Sequence, residues 1–216
     1  MRARYIAVEG VIGVGKTSLA KLLAERLDAK LILEEPEANP FLEDFYRDPR
    51  RYAFQTQIYF LVSRYKELKE KTQPDLFHEG LVCDYLFQKD RIFANINLND
   101  RELQLYDQVA PLLERDLAGP DLVVYLQANP EVLLERIDQR GRAYERLMDP
   151  KYIATLVEAY NYFFFHYREA PVLVVNTNKM NFVHRRDDLE ELVSKIESHQ
   201  EGIAYVSPGS SAGEKP

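Results

Sequence analysis

The stretch VEGVIGVGKTSLAKLL, residues 8–23, places glycines, a lysine and a hydroxyl side chain between an apolar run and an amphipathic one. It fits the pattern G-x-x-x-x-G-K-[ST]. In this pattern backbone N–H groups turn around phosphates, the lysine adds positive charge and the hydroxyl binds Mg²⁺. A helix N-terminus adds partial positive charge. The stretch therefore predicts a site for nucleotide phosphates, formed by Gly10, Gly13, Gly15, Lys16, Thr17 and Ser18.

Short apolar runs predict the strands that must position this loop. They are continuous rather than alternating, which is typical of strands buried on both faces of a parallel sheet. Segments with helical spacing separate them, such as Leu19, Leu22, Leu23 and Leu27. The pattern predicts a doubly wound α/β fold with a five-stranded parallel sheet flanked by helices. The expected strands are residues 5–8, 31–33, 81–83, 122–126 and 172–175.

The organisation of the chain predicts one domain over residues 1–203. The remainder, residues 204–216, is mostly small and polar, and we expect it to be a disordered tail. Two further helices are expected, one around residues 153–160 and one over residues 187–196.

Composition excludes several functional classes. The net charge of −7, from 28 basic and 35 acidic residues, argues against nucleic acid as a partner. The single cysteine, Cys83, forms no internal disulfide and fits a reducing compartment. We see no signal peptide and no apolar run long enough for a membrane span, so we expect a cytoplasmic, soluble protein that binds no membrane. The four histidines show no ligand spacing with Cys83, so no zinc site is expected.

Acidic and basic side chains near predicted strand and helix ends suggest phosphoryl transfer. Glu35 precedes Pro36, which biases it towards an extended backbone after the second strand. A carboxylate there could accept a proton from a hydroxyl. Asp84 ends the third strand, where P-loop enzymes place an acid that holds Mg²⁺. Three arginines at a helix end, which Gly141 should terminate, fit phosphates that gain charge during transfer: Arg136, Arg140 and Arg142.

Four segments in order carry a resemblance to a known family: EEPEANPF, FYRDPRRYAFQTQIYFLVSRY, CDYLFQKDRIFAN and RIDQRGRAYE. Together with the phosphate loop they resemble the deoxynucleoside kinase family, and within it the bacterial purine deoxynucleoside kinases, from about residue 5 to residue 198. The resemblance implies a P-loop kinase fold with a lid, ATP and Mg²⁺, and transfer to the 5′-hydroxyl of a deoxynucleoside. It also implies a homodimer.

The resemblance also implies roles for individual residues. Glu35 would be the general base, while Lys16 and the three arginines would stabilise the transferred group. Thr17 and Asp84 would hold the metal, and the loop of residues 176–184 would hold the adenine ring. The substrate contacts implied are Tyr46 and Glu145 at the sugar 3′-hydroxyl, and Gln57 and Asp90 at the base with Phe93 stacking nearby. Arg64, Asp84 and Tyr85 are further implied substrate contacts.

Three points stay open at this stage. The family has arginine after the strand-end acid, whereas this chain has Tyr85, and Lys89 could supply the missing charge. Gln55 competes with Gln57 for the base, because side chains two residues apart on a helix face different directions. The alternatives in function are a thymidylate-type monophosphate kinase, a deoxycytidine-accepting kinase and a non-catalytic nucleotide-binding module. The carboxylate of Glu35 would repel a phosphorylated acceptor, which speaks against the first.

Overall fold

The computed structural model describes residues 5–71, 78, 80–183 and 185–207. Its central feature is a parallel sheet flanked by helices, as predicted. The sheet has six strands rather than the expected five. They are β1 (Tyr5–Gly10), β2 (Lys30–Ile32), β3 (Leu81–Cys83), β4 (Leu122–Gln127), β5 (Val172–Asn176) and β6 (Ile203–Val206).

Helices connect these strands, and two short 3₁₀ segments, Pro36–Ala38 and Ala143–Leu147, lie near the predicted site. Gly141 ends the sixth helix in the left-handed conformation at φ 69°, which confirms the predicted stop. The helices are α1 (Lys16–Leu27), α2 (Leu42–Arg47), α3 (Pro49–Lys71), α4 (Lys89–Asn97), α5 (Asp100–Glu114), α6 (Pro130–Arg140), α7 (Pro150–His166) and α8 (Arg186–Ser198).

The strand order β2-β3-β1-β4-β5-β6 places β1 between β3 and β4. In register, Ala7 pairs with Cys83 on one side and with Val123 on the other. The next two strands in the chain, β2 and β3, lie on one side of β1, and the later strands β4, β5 and β6 lie on the other. In open α/β sheets, a crevice forms at the carboxyl ends of the strands where the order reverses, and ligands bind there. The phosphate loop begins at this point.

The sixth strand corrects the expected boundary of the tail. β6 pairs in parallel with β5, so three residues assigned to the tail, 204–206, belong to the sheet. Ile203 and Tyr205 are exposed and Val206 is buried. This alternation is typical of an edge strand, whereas the five predicted strands are continuous apolar runs. Residues 208–216 lie outside the described residues.

Every residue of β1 is buried, and its apolar side chains belong to the same core cluster as those of β3, β4 and α1. A rigid β1 gives the phosphate loop a fixed starting point. No helix in the described ranges is long and apolar enough to cross a membrane.

Candidate active site

Two cavities meet at the carboxyl ends of the strands. The first, here called the aromatic cavity, lies between α2, α3, α4 and α7, and its lining includes Tyr46, Phe60, Phe93, Tyr152 and Tyr160. The second, the loop cavity, lies between the phosphate loop, the end of α6 and residues 178–183. Both cavities share five lining residues: Gly13, Lys16, Thr17, Arg140 and Arg142. A group bound in one cavity can therefore approach a group bound in the other across these residues.

The phosphate loop has the backbone conformation that its glycines permit. Gly10, Gly13 and Gly15 have φ of 152°, 87° and 106°, and Gly15 caps α1 without a side-chain partner. The ammonium of Lys16 donates to the carbonyl oxygen of Gly10 at 2.7 Å. Burial lowers the pKa of Lys16 to about 8. Ser18 is exposed and lines the loop cavity.

Thr17 and Asp84 meet although they are far apart in the sequence. The Thr17 hydroxyl donates to Asp84 Oδ2 at 2.6 Å, and the Glu34 backbone N–H donates to Asp84 Oδ1 at 2.7 Å. Asp84 is buried, and both Asp84 and Thr17 line the aromatic cavity. A hydroxyl and a carboxylate are hard oxygen ligands, and Mg²⁺ usually takes one or two such protein ligands beside phosphates and water. These residues fit the predicted metal role.

Of the two neighbouring glutamates, Glu34 lines the aromatic cavity and Glu35 does not. Glu34 Oε1 accepts from Arg64 Nε at 2.7 Å, and Oε2 accepts from Lys89 Nζ at 2.8 Å. Burial acts to raise the pKa of Glu34, but Arg64 and Lys89 hold it well below its ordinary value. Glu34 is therefore ionised and fixed in position.

The structure contradicts the placement of Glu35 at the reacting hydroxyl. Its side chain is exposed and does not line the aromatic cavity. In an extended segment successive side chains point to opposite sides, so Glu34 shares the side of the buried Ile32 and Glu35 does not. Pro36 then starts a 3₁₀ segment and turns the chain away. The alternation with Ile32 was the signal that could have identified Glu34.

Two further predicted substrate contacts, Tyr85 and Asp90, lie behind the cavity wall instead of lining it. The hydroxyl of the buried Tyr85 donates to Glu67 Oε2 at 2.9 Å. The buried Asp90 carboxylate accepts from Arg64 Nη1 and, at 2.9 Å, from the Tyr106 hydroxyl. Burial raises the pKa of Asp90 and Arg64 opposes that effect. Asp90 therefore positions Arg64, which does line the cavity.

Gln57 lines the cavity, and the competing Gln55 is exposed. The Gln57 amide nitrogen donates to the backbone oxygen of Asp90 at 2.8 Å. This bond fixes the amide and leaves its oxygen for a ligand. Phe93 lines the same cavity, with its ring edge-on to Tyr160 at a centroid distance of 6.2 Å. Gln57 and the surrounding rings can together hold a flat heterocycle.

The residues that follow α6 line the other side of the aromatic cavity, together with Arg140 at the end of that helix. Tyr46 stacks on Tyr144 at a centroid distance of 5.9 Å, and Glu145 is buried beside them. Arg140 Nη2 donates to Glu145 Oε1 at 2.5 Å, and Arg142 Nε lies 3.0 Å from Glu37 Oε1. The structure thus brings Tyr46 and Glu145 together, as expected for a pair that binds one hydroxyl.

Arg136 differs from the other two arginines. It lines the loop cavity and not the aromatic cavity. Its guanidinium donates to the Val14 carbonyl at 3.2 Å, and to the Thr177 hydroxyl and carbonyl at 3.1 and 2.7 Å. It therefore ties α6 to the phosphate loop and to the segment after β5. Residues 178–183 of the predicted adenine loop line the loop cavity, while His184 lies outside the described residues.

Sequence reasoning missed Glu9, a fully buried carboxylate in β1. It accepts from the Gly10 and Leu86 backbone N–H groups at 2.8 and 2.7 Å, and from the Tyr160 hydroxyl at 3.2 Å. Glu9 therefore links the start of the phosphate loop to the wall of the aromatic cavity. An acidic residue inside an otherwise apolar strand was the available signal.

A P-loop on a parallel sheet, with a second cavity that ends at the same lysine and arginines, defines a class of enzyme that transfers a phosphoryl group from a nucleotide. The family model described as "Deoxynucleoside kinase" matches residues 6–201. The chain belongs to the deoxynucleoside kinase family, and it is an enzyme that phosphorylates a deoxynucleoside.

Individual relatives agree with this membership. The chain is 34% identical over 200 residues to deoxyguanosine kinase of Bacillus subtilis (strain 168), covering 90% of this chain and 96% of the relative. It is 33% identical over 213 residues to deoxyadenosine kinase of Dictyostelium discoideum, covering 96% of this chain and 83% of the relative. The structure of deoxyadenosine kinase from M. mycoides with bound dATP superposes with a TM-score of 0.78 at 25% identity, covering 90% of this chain and 100% of the other.

Proposed function

We propose that the protein transfers the γ-phosphoryl group of ATP to the 5′-hydroxyl of a purine deoxynucleoside, with Glu34 as the general base. One observation carries this proposal: the aromatic cavity and the loop cavity share Lys16, Thr17, Arg140 and Arg142, with Glu34 beside them in the aromatic cavity. ATP fits the loop cavity because the phosphate loop forms its floor. The nucleoside fits the aromatic cavity, because Gln57 and the rings suit a base and Tyr46 with Glu145 suits a sugar hydroxyl.

Catalysis in this arrangement rests on position and charge. Glu34 orients the hydroxyl and accepts its proton. Lys16, Arg140 and Arg142 stabilise negative charge on the transferred group. Thr17 and Asp84 would hold Mg²⁺, which neutralises phosphate charge when bound. Arg140 is paired with Glu145 and Arg142 with Glu37, so bound phosphates must compete with these carboxylates.

The purine preference is supported by the names of the relatives, since several are deoxyguanosine or deoxyadenosine kinases. One Bacillus subtilis relative is a deoxyadenosine/deoxycytidine kinase, so deoxycytidine is the second candidate. The test is transfer from labelled ATP to deoxyguanosine, deoxyadenosine, deoxycytidine, thymidine and dTMP. Labelled purine deoxynucleoside monophosphate is the expected product. Labelling of dTMP alone, or of none of the five, would overturn the proposal.

We expect the Arg136→Met variant to show a KM for ATP raised about tenfold, the equivalent of roughly 1.4 kcal/mol. The reason is that Arg136 joins Val14 in the phosphate loop to Thr177, which directly precedes the residues 178–183 that line the loop cavity. The KM for the nucleoside should stay unchanged, because Arg136 does not line the aromatic cavity. Steady-state kinetics with each substrate varied measures both values. The exposed Arg101→Met serves as the control. An equal rise in both KM values would contradict this assignment.

We also propose a homodimer that forms through α7. Tyr162 and Phe165 on this helix are 71% and 67% exposed, and a hollow between α4 and α7 lies beside Tyr162. Large rings exposed together on one helix are typical of an interface. Light scattering after gel filtration should give a dimer for the unmodified chain and a monomer for Phe165→Glu. Leu112→Glu, at another exposed apolar position, should remain dimeric. Dissociation of the Leu112 variant alone would place the interface elsewhere.

A further inference from the structure

Lys89 is a buried cation in the wall of the aromatic cavity. It is 3% exposed and stands in the first turn of α4. Its ammonium donates to Glu34 Oε2 at 2.8 Å. The centroid of the Tyr85 ring lies 5.6 Å from the same nitrogen. Two sides of the ammonium are therefore occupied by a carboxylate and a ring face.

A buried lysine is costly unless its charge is used. Part of this charge is used in pairing, because Arg64 contacts both Glu34 and Asp90 but carries one positive charge, and Lys89 supplies the second. An ammonium has three N–H donors, and only one is bound to Glu34. Since Lys89 also lines the aromatic cavity, a donor remains for a ligand there.

We propose that Lys89 is a catalytic residue that donates to the 5′-oxygen of the acceptor, an inference that rests on the proposed function. In the step, the 5′-oxygen forms a bond to the γ-phosphorus and its proton passes to Glu34. The bond between the γ-phosphorus and the bridging oxygen breaks, and ADP leaves with that electron pair. Because the ammonium lies 2.8 Å from Glu34 Oε2, an oxygen that lies on the cavity side of both groups can bond to both. Lys89 thus binds one lone pair of the 5′-oxygen while Glu34 accepts the proton from the same oxygen.

Tyr85 and Glu67, which lie behind Lys89, explain why its ammonium is fixed in position. The Tyr85 ring faces the ammonium, and the Tyr85 hydroxyl is held by Glu67. Glu67 in turn pairs with Lys71 at 2.6 Å. A cation over an aromatic face is stabilised by the ring quadrupole. Tyr85 is therefore a positioning residue for Lys89 and not the substrate contact that the family resemblance implies.

The test compares Lys89→Met, Lys89→Arg and the exposed control Lys66→Met on the nucleoside that the unmodified enzyme accepts best. We expect kcat of the Met variant to fall about 100-fold, with the KM for the nucleoside changed less than about threefold. The Arg variant should recover at least about a tenth of kcat, because it retains a charged donor. The control should match the unmodified enzyme.

Fluorescence titration of the nucleoside and thermal unfolding show whether each variant is folded and binds. If Lys89→Met does not fold, Lys89→Ala with added methylammonium takes its place, and a rate that rises with the amine supports the proposal. Unchanged kcat, a loss confined to the KM, or no recovery with either arginine or amine overturns it. The proposed function fails separately, if the unmodified enzyme transfers no phosphoryl group from ATP to a purine deoxynucleoside or if Glu34→Gln keeps its turnover.

Discussion

Replacement of Glu34 by Gln should lower kcat about 1,000-fold, within the range of 100- to 10,000-fold for loss of a general base. The amide cannot accept the proton of the attacking hydroxyl. It also leaves Arg64 and Lys89 without the carboxylate that both contact. Breaking a buried ion pair costs about 3–5 kcal/mol, so the free energy of unfolding should fall as well. Single-turnover transfer at saturating ATP measures the chemical effect, and chemical denaturation measures the structural one.

Glu35→Gln is the matched control, because it makes the same chemical change one residue away. Its side chain is exposed and outside the aromatic cavity, so we expect kcat within about twofold of the unmodified enzyme and unchanged stability. Glu34→Asp retains a charge and should unfold at a higher denaturant concentration than Glu34→Gln. The assignment is refuted if Glu35→Gln loses turnover while Glu34→Gln keeps it.

The second large effect is expected for Gly13→Ala. Gly13 has φ of 87°, and an added Cβ would lie 2.8 Å from Ile137 Cγ1 and 2.9 Å from the Leu133 carbonyl oxygen. The Leu133 oxygen belongs to the backbone of α6 and cannot move without that helix. The phosphate loop and Arg140 would therefore separate. Because a misplacement of about 1 Å can cost about 100-fold, kcat/KM for ATP should fall by at least that factor.

The backbone strain of a non-glycine residue at this position should lower the free energy of unfolding by roughly 1–3 kcal/mol. Gly119→Ala is the control, since no atom lies within 4 Å of a Cβ added there. It should leave both kinetics and unfolding unchanged. ATP titration by calorimetry separates loss of binding from loss of turnover. Near-normal ATP affinity in the Gly13 variant would show that the loop tolerates the methyl group, contrary to this account.

Much of the fold could be predicted from the local pattern of apolar residues. The five predicted strands occur within two residues of their expected bounds at each end, because continuous apolar runs follow from burial on both faces. β6 escaped detection because an edge strand alternates. Its pairing with β5 depends on a neighbour about thirty residues earlier in the chain. The phosphate loop could also be predicted from local sequence, because its turn requires backbone angles that favour glycine.

What the sequence by itself determined is the phosphate loop, the parallel α/β sheet and the resemblance to a deoxynucleoside kinase. Each of these depends on residues close together in the chain. The tertiary structure decided which side chains share the cavity: Glu34 rather than Glu35, and Gln57 rather than Gln55. It also set Tyr85 and Asp90 behind Lys89 and Arg64. These outcomes depend on how β2, α3 and α4 pack against one another, and contacts between separate elements leave no fixed spacing in the sequence.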